Sequence, residues 1–211
     1  MHIILGGTGH IGAALAQALL EQGESVTIVT RDAAKAGDLA NRGARISSAE
    51  VQDTDALRRI FRTGKRLFLL NPPAAPATDT DVEERRSLAS IFAAMDGAGL
   101  EKIVAESAYG AQSGKNIGDL GVLFEMEQAL AAQSLPATII RAAYYMSNWQ
   151  PALQTAKETG IVSTLFPPDF RLPMVAPEDI GALAARLMIQ PADQTGLHYM
   201  GRFDERGNIV R

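Results

Sequence analysis

Short apolar runs alternate along this chain with longer stretches whose apolar positions recur at helical spacing. His2-Ile3-Ile4-Leu5, Ser25–Thr30, Ala44–Ala49, Arg66–Leu70, Lys102–Ala105 and Pro136–Ile140 read as strands, several of them apolar enough to be covered on both faces. Between them lie predicted helices. The first follows Gly12 with an apolar face at Ile11, Leu15, Ala18 and Leu19, and ends at Gly23. The next span Ala33–Ala40, capped by Asp32, and Ala56–Phe61, capped by Asp55. A long helix over about Asp81–Ala98 turns Val82, Leu88, Ile91, Phe92 and Met95 inward and leaves Glu83, Glu84, Arg85 and Arg86 as a solvated face. Another contains Val122, Leu123, Met126 and Leu130, with Glu125 and Glu127 solvated.

Regular strand–helix alternation from residue 2 to about 140 predicts an α/β domain with a doubly wound parallel sheet and helices on both faces. The pattern then changes. Ala142–Trp149 is the densest aromatic cluster, followed by a helix over Pro151–Glu158 and extended pieces near Ile161–Leu165. Pro177-Glu178-Asp179 opens a helix over Ile180–Ile189, and His198-Tyr199-Met200 reads as a last edge strand. The reading is one domain over residues 1–211, with 141–211 as a small substrate-side lobe.

The first strand runs directly into Gly6-Gly7-Thr8-Gly9-His10-Ile11-Gly12 and then a helix. Glycines three apart in this context have separate duties. Gly6 permits the tight turn, Gly9 lets the backbone approach a pyrophosphate, and Gly12 lets the helix pack closely. Free N–H groups and the positive helix end make a diphosphate site, so Thr8, His10 and Ile11 join the glycines as candidate contacts of a dinucleotide. No Lys-Ser or Lys-Thr follows, which excludes a Walker loop.

Arg31 and Asp32 end the second strand, where such folds meet the adenosine ribose. An acid there suits NAD; an arginine suits the 2′-phosphate of NADP. Asp32 has a second duty as a helix cap and Arg31 has none, so NADP(H) is favoured, with NAD(H) still open. Asp53 is a candidate for the adenine amino group, with capping or turn formation as its alternative. Asn71, Pro72 and Pro73 stop the fourth strand and are expected to line the cofactor, as are Ser107 and Tyr109 after the fifth.

Composition narrows the function class. With a net charge of −4 and a pI near 5.4, no nucleic-acid surface is expected. Cysteine is absent, which removes disulfides, thiol catalysis and cysteine-bound metal, and the three histidines lack ligand spacing. Neither a signal peptide nor a membrane span is expected, and the cytoplasm is the simplest compartment.

Gly6–Gly12, Leu69-Leu70-Asn71-Pro72-Pro73, Ser107–Ala111 and Val175-Ala176-Pro177-Glu178-Asp179-Ile180-Gly181 together resemble the NmrA-like branch of the atypical short-chain dehydrogenases. Leu135–Arg141 followed by Tyr144–Asn148 is similar to the NAD(P)H quinone oxidoreductase and azoreductase-like group within it. The resemblance covers nearly the whole chain. It implies a Rossmann fold, NAD(P)(H), and either reduction of quinones and related acceptors or nucleotide-sensing regulation. Two departures stand out. The superfamily's catalytic tyrosine has a lysine four residues later, which lowers the phenol pKa; here Ser113 follows Tyr109 at that spacing, and Asn148 and Trp149 follow Tyr144 and Tyr145. Members also usually extend further, so the pocket is expected to be open or completed by another copy of the chain, as in a homodimer.

Hydride transfer to a quinone-like small molecule asks mainly for positioning of a flat ring against the nicotinamide. Tyr109, Tyr144, Tyr145 and Trp149 are candidates for an aromatic wall. Tyr109, Tyr144 and Asn148 are the candidate catalytic residues, their hydroxyl or amide groups bonding the developing quinol oxygen. Core packing of the same rings is the alternative. A non-catalytic NADP(H) sensor acting through a protein partner is the second functional expectation.

Overall fold

Parallel strands carry the core, and the alternation of their side chains divides it into two layers. The computed structural model describes residues 1–167 and 169–201. In chain order the elements are β1 (His2–Leu5), α1 (His10–Glu21), β2 (Val26–Thr30), α2 (Gly37–Asn41), β3 (Arg45–Ser48), α3 (Thr54–Phe61), β4 (Arg66–Leu69) and α4 (Thr80–Met95). Then come β5 (Lys102–Ala108), α5 (Asp119–Ala131), β6 (Ala137–Ala142), β7 (Tyr144–Tyr145), α6 (Gln150–Thr159), β8 (Met174–Val175), α7 (Pro177–Ile189) and β9 (Gly196–Met200). The main sheet has seven strands in the order β3-β2-β1-β4-β5-β6-β9, every pairing parallel. This is the Rossmann-type, doubly wound arrangement, and its order reverses between β1 and β4.

Ile4, Ile28, Phe68, Val104 and Ile140 pack on α1, α2 and α7 through Ile11, Leu15, Leu39, Ile180 and Leu183. Ile3, Leu5, Leu67, Leu69 and Ile103 face the other way, onto α3, α4 and α5 through Leu57, Phe61, Leu88, Ile91, Val122 and Met126. The α1–α7 contact depends on Gly181, whose missing Cβ would stand 2.7 Å from Ala14 Cβ and 2.8 Å from the Leu15 nitrogen. At the far end of α1, Gly23 takes φ +78°, and the N–H groups of Gly23 and Glu24 donate to Leu20 and Leu19. That is a helix stop only glycine adopts without strain.

Several local expectations change. Asp53, not Asp55, caps α3, its carboxylate accepting from the Ala56 N–H at 2.9 Å; Asp55 pairs with Arg58 inside the first turn. The Ala33–Ala40 helix is a 3₁₀ turn over Ala33–Ala36 followed by α2. Val82 is exposed, and Glu84 and Glu127 are buried rather than solvated. Ile161–Leu165 forms no strand; instead β8 pairs in parallel with β7 beyond the main sheet. That long-range pairing is invisible to local periodicity. The lobe around α6 buries none of that helix's residues and exposes Leu153, Ile161, Val162, Leu165 and Phe170. Beyond Gly201 the expected lobe lies outside the described residues. Among the described residues, no helix is long and apolar enough to cross a membrane.

Candidate functional site

The β1–α1 turn lies where the strand order reverses. Gly6 takes φ +66°, and its carbonyl accepts from the Gly9 N–H at 2.9 Å, closing the turn. A Cβ on Gly12 would fall 2.3 Å from the Gly6 oxygen and 2.7 Å from Gly7 Cα, so the helix meets the loop through bare backbone. Gly7 has a role that sequence did not reveal: a Cβ there would stand 2.5 Å from Ile28 Cγ2. Gly9 and His10 are exposed, Ile11 is buried, and α1 starts with no side-chain cap and no acid in its first turn. The dipole and orphan N–H groups of this helix end therefore face outward uncompensated.

A cleft of about 620 Å³ extends from this turn across the ends of β1, β2 and β4, bringing together Gly6, Thr8, Arg31, Asp53, Pro72 and Pro73. The Thr8 hydroxyl is 3.1 Å from that of Thr30, and the Asp32 N–H donates to the Thr30 hydroxyl at 3.2 Å, fixing the loop to the end of β2. Asp32 accepts from the Ala34 N–H at 3.1 Å and lies 3.8 Å from Lys35. Arg31 is exposed on the cleft, and among the described residues no carboxylate pairs with it. Behind the opposite wall, buried Glu84 accepts from the Ala74 N–H at 3.0 Å, while the Asn71 side-chain amide donates to the Glu84 carbonyl at 3.2 Å. This carboxylate fixes the course of the Asn71–Ala74 segment. Asn71 itself does not line the cleft, nor do His10, Ser107 or Tyr109.

Beyond β5 and β6 the side chains bond chiefly to one another. The Ser107 hydroxyl donates to Glu127 at 2.5 Å, and Arg141 grips the same carboxylate at 2.9 and 2.6 Å. This forked bond keeps the guanidinium charged and raises its pKa. Burial, with Tyr199 beside it, pushes the Tyr109 phenol up to about 12, the reverse of what a lysine partner would do. The lysine of β5, Lys102, is buried at the strand's other end, donating to the Pro191 carbonyl at 3.0 Å. The aromatic residues form separate groups. Tyr109 meets Tyr199 edge-on at 5.4 Å; Tyr144 meets Trp149 at 6.2 Å and Phe166 at 5.5 Å, and Phe166 stacks on Phe170. Asn148 is exposed in the 3₁₀ turn Met146–Trp149.

Tyr145 belongs to neither ring group: its hydroxyl donates to Glu106, which is only 7% exposed. Burial raises the Glu106 carboxyl to about 7, with Asp119 adding to the rise and the Tyr145 bond opposing it. Sequence reasoning passed over Glu106, although a lone acid inside the apolar Lys102–Ala108 run is the signal that finds it.

The NmrA-like family model matches residues 2–202. The chain belongs to the NmrA-like family. It is 23% identical over 201 residues to an NAD(P)H azoreductase of Xenophilus azovorans, covering 92% of this chain and 65% of that protein. This NmrA-like chain thus spans a little under two thirds of the length of that curated relative. A nucleoside-diphosphate-sugar epimerase from Staphylococcus aureus superposes with a TM-score of 0.81 at 15% identity, covering 96% of this chain and 71% of the epimerase. An NADPH-dependent quinone oxidoreductase of Escherichia coli, in complex with NADPH, superposes with a TM-score of 0.79 at 22% identity, covering 95% and 69%. At these identities the two structural likenesses are likenesses of fold.

Proposed function

We propose that this NmrA-like protein is an NADPH-preferring oxidoreductase that delivers hydride to a quinone or similar conjugated small molecule. The observation that carries the reading is the uncapped start of α1 above a glycine cradle that any Cβ at Gly12 would fill. A diphosphate fits there: Gly6, Thr8, Gly9, His10, Ile11 and Gly12 would hold it. Asp53 would lie on the adenine side, and Asn71, Pro72, Pro73, Ser107 and Tyr109 would follow the cofactor towards its reactive end. Arg31 supports NADP over NAD, because it stands uncommitted on the cleft while Asp32 is engaged as a cap. NADPH, when bound, supplies the hydride. Tyr144 and Asn148 remain proposed acceptor-side groups, beside an aromatic cluster suited to a flat ring. The activities of the azoreductase and quinone oxidoreductase that the chain resembles support a conjugated acceptor.

A second reading is a nucleotide-dependent sensor that docks on a protein. The exposed Leu153, Ile161, Leu165 and Phe170 favour it. One assay separates the two: NADPH oxidation monitored with a panel of quinones and azo dyes, beside direct NADPH binding. The reductase reading expects turnover with at least one acceptor, and clear binding without turnover overturns it. Arg31→Ala is expected to weaken NADPH binding about 10- to 100-fold, the worth of one or two charge-assisted bonds, and to leave NADH binding nearly unchanged. Equal losses for both nucleotides would refute the role given to Arg31.

A further inference from the structure

The hydrogen bond between Tyr145 and Glu106 is the one part-buried acid–phenol bond on the carboxyl side of the sheet among the described residues. Its position is set by the strand ends. The Tyr109 N–H donates to the Ala142 carbonyl at 3.0 Å and the Ala143 N–H to Met200 at 2.8 Å, which fixes where β5 and β6 stop. The chain then steps outward into β7, whose pairing with β8 sets Tyr144 against Met174 and Tyr145 against Val175. Tyr145 is therefore held just outside the carboxyl edge of the sheet, next in sequence to the Tyr144 ring cluster, where open α/β sheets bind the reacting part of their ligand. Tyr145 is partly exposed, whereas Glu106, its hydrogen-bond partner, is nearly sealed.

We propose that Tyr145 donates the proton that completes reduction of the acceptor and that Glu106 resupplies it, a role that rests on the reductase reading above. An acceptor of the quinone class that takes a hydride from a reduced nicotinamide is left with a negatively charged oxygen. One proton passes from the Tyr145 hydroxyl to that oxygen, breaking the phenol O–H bond as the quinol O–H bond forms. A second passes from the Glu106 carboxyl to the phenolate, and a third from solvent restores Glu106. The net consumption is one hydride and one proton per acceptor. Burial and Glu106 raise the Tyr145 pKa, so the phenol stays protonated but is by itself a weak acid. It delivers its proton as the protonated Glu106 carboxyl, the stronger acid of the pair, turns its own O–H onto the phenol oxygen and refills it. Glu106 acts through Tyr145 and is a positioning residue.

Few other charges act on the pair. Asp119 at the start of α5 opposes the charged form of Glu106, and Tyr145 is its hydrogen-bond partner. From α7, which packs on the same sheet layer, the inward residues Ile180, Leu183 and Ala184 are apolar, as is Ile140 of β6, the register partner of Glu106. The carboxyl therefore titrates against an apolar wall, one acid and one phenol.

The test has two independent readouts. In the first, the Glu106 carboxyl is titrated by carbon NMR in the protein alone, with Glu106→Gln assigning the resonance. The expected midpoint is near 7, moving upward in Tyr145→Phe because the charged form loses a hydrogen bond. In the second, kcat for quinone reduction is followed from pH 6 to 9. Wild-type kcat should fall about tenfold per pH unit above 7, Glu106→Gln should flatten that slope, and Tyr145→Phe should lower kcat roughly 100-fold with unchanged NADPH affinity. Turnover with a flat wild-type profile, or a carboxyl midpoint unmoved by Tyr145→Phe, overturns proton delivery alone. Absence of wild-type turnover with every acceptor overturns both it and the reductase reading. Thermal melts of both variants guard against reading misfolding as lost chemistry.

Discussion

The two halves of the strand-end rim solve opposite problems. Along β1, β2 and β4 the side chains are small or committed to holding backbone: glycines in the turn, Asp32 and Asp53 on helix starts, Glu84 on the Asn71–Ala74 segment. Facing the cleft are the glycine turn, apolar Leu5, Val29 and Leu70, the carboxylates of Glu50 and Glu83 and, among the described residues, one cation without an ion pair, Arg31. Along β5, β6 and β7 the backbone is closed off, and side chains bond to side chains: Ser107 and Arg141 to Glu127, Tyr145 to Glu106. One half presents a fixed array of donors that fits a diphosphate; the other holds titratable groups away from water, where small changes in environment move protons. On the proposed reading, recognition and reactivity are built from different parts of the chain.

The comparison breaks most severely at Glu127. Glu127→Ala strands the Arg141 guanidinium, with a side chain 17% exposed, and the Ser107 hydroxyl, so a loss of about 3–5 kcal/mol in chemical denaturation is expected. Replacing Arg141 by Met in the same protein should recover much of it. If the double variant is no better than the single one, the pair is not the unit described here.

Next in size is the pH dependence contributed by Glu106. Its pKa is raised from 4.5 in the unfolded chain to about 7 in the fold, chiefly by burial. The folded state therefore holds a proton that the unfolded state has released between those values. Its stabilising effect is complete below pH 4.5, declines as pH rises and is gone above 7, a change on the order of 3 kcal/mol. Denaturation midpoints of the wild type should fall across this window relative to those of Glu106→Gln; parallel curves would refute the buried, protonated carboxyl.

The smallest effect sharpens the cleft side. Asp53→Ala removes the cap of α3 and should cost about 1 kcal/mol of stability. A loss of NADPH affinity beyond that shared by other capping variants would assign Asp53 to the adenine as well; unchanged affinity would confine it to the helix.

These differences explain what was legible in the sequence. The strand–glycine–helix run, the parallel alternation and the Asp32 cap are local patterns, and the turn at Gly6 and the strand spans follow from them. Glu84 and Glu127 were misplaced because each sits in a charged or mixed helix stretch whose buried side is decided by a distant partner, the Ala74 N–H and Arg141. Tyr145 gave no sign of parting from its neighbour Tyr144. Two adjacent residues in a strand point to opposite sides, and the pairing of β7 with β8 links residues some thirty positions apart. The choice between Asp53 and Asp55 as cap turned on an offset of two residues, which composition does not resolve.

The contact between α1 and α7 through Gly181 also orders events in time. A chain emerging from its amino terminus makes the glycine turn and its helix first, yet Ile11, Leu15 and Leu19 find part of their cover only when α7, near the other end of the described chain, has been made. Until then a sticky stripe lies open on the segment proposed to hold the diphosphate. Contacts of such long sequence separation are slow to close and leave intermediates prone to aggregation. In refolding, competence to bind nucleotide should therefore arrive with the last phase, long after the first helix has formed.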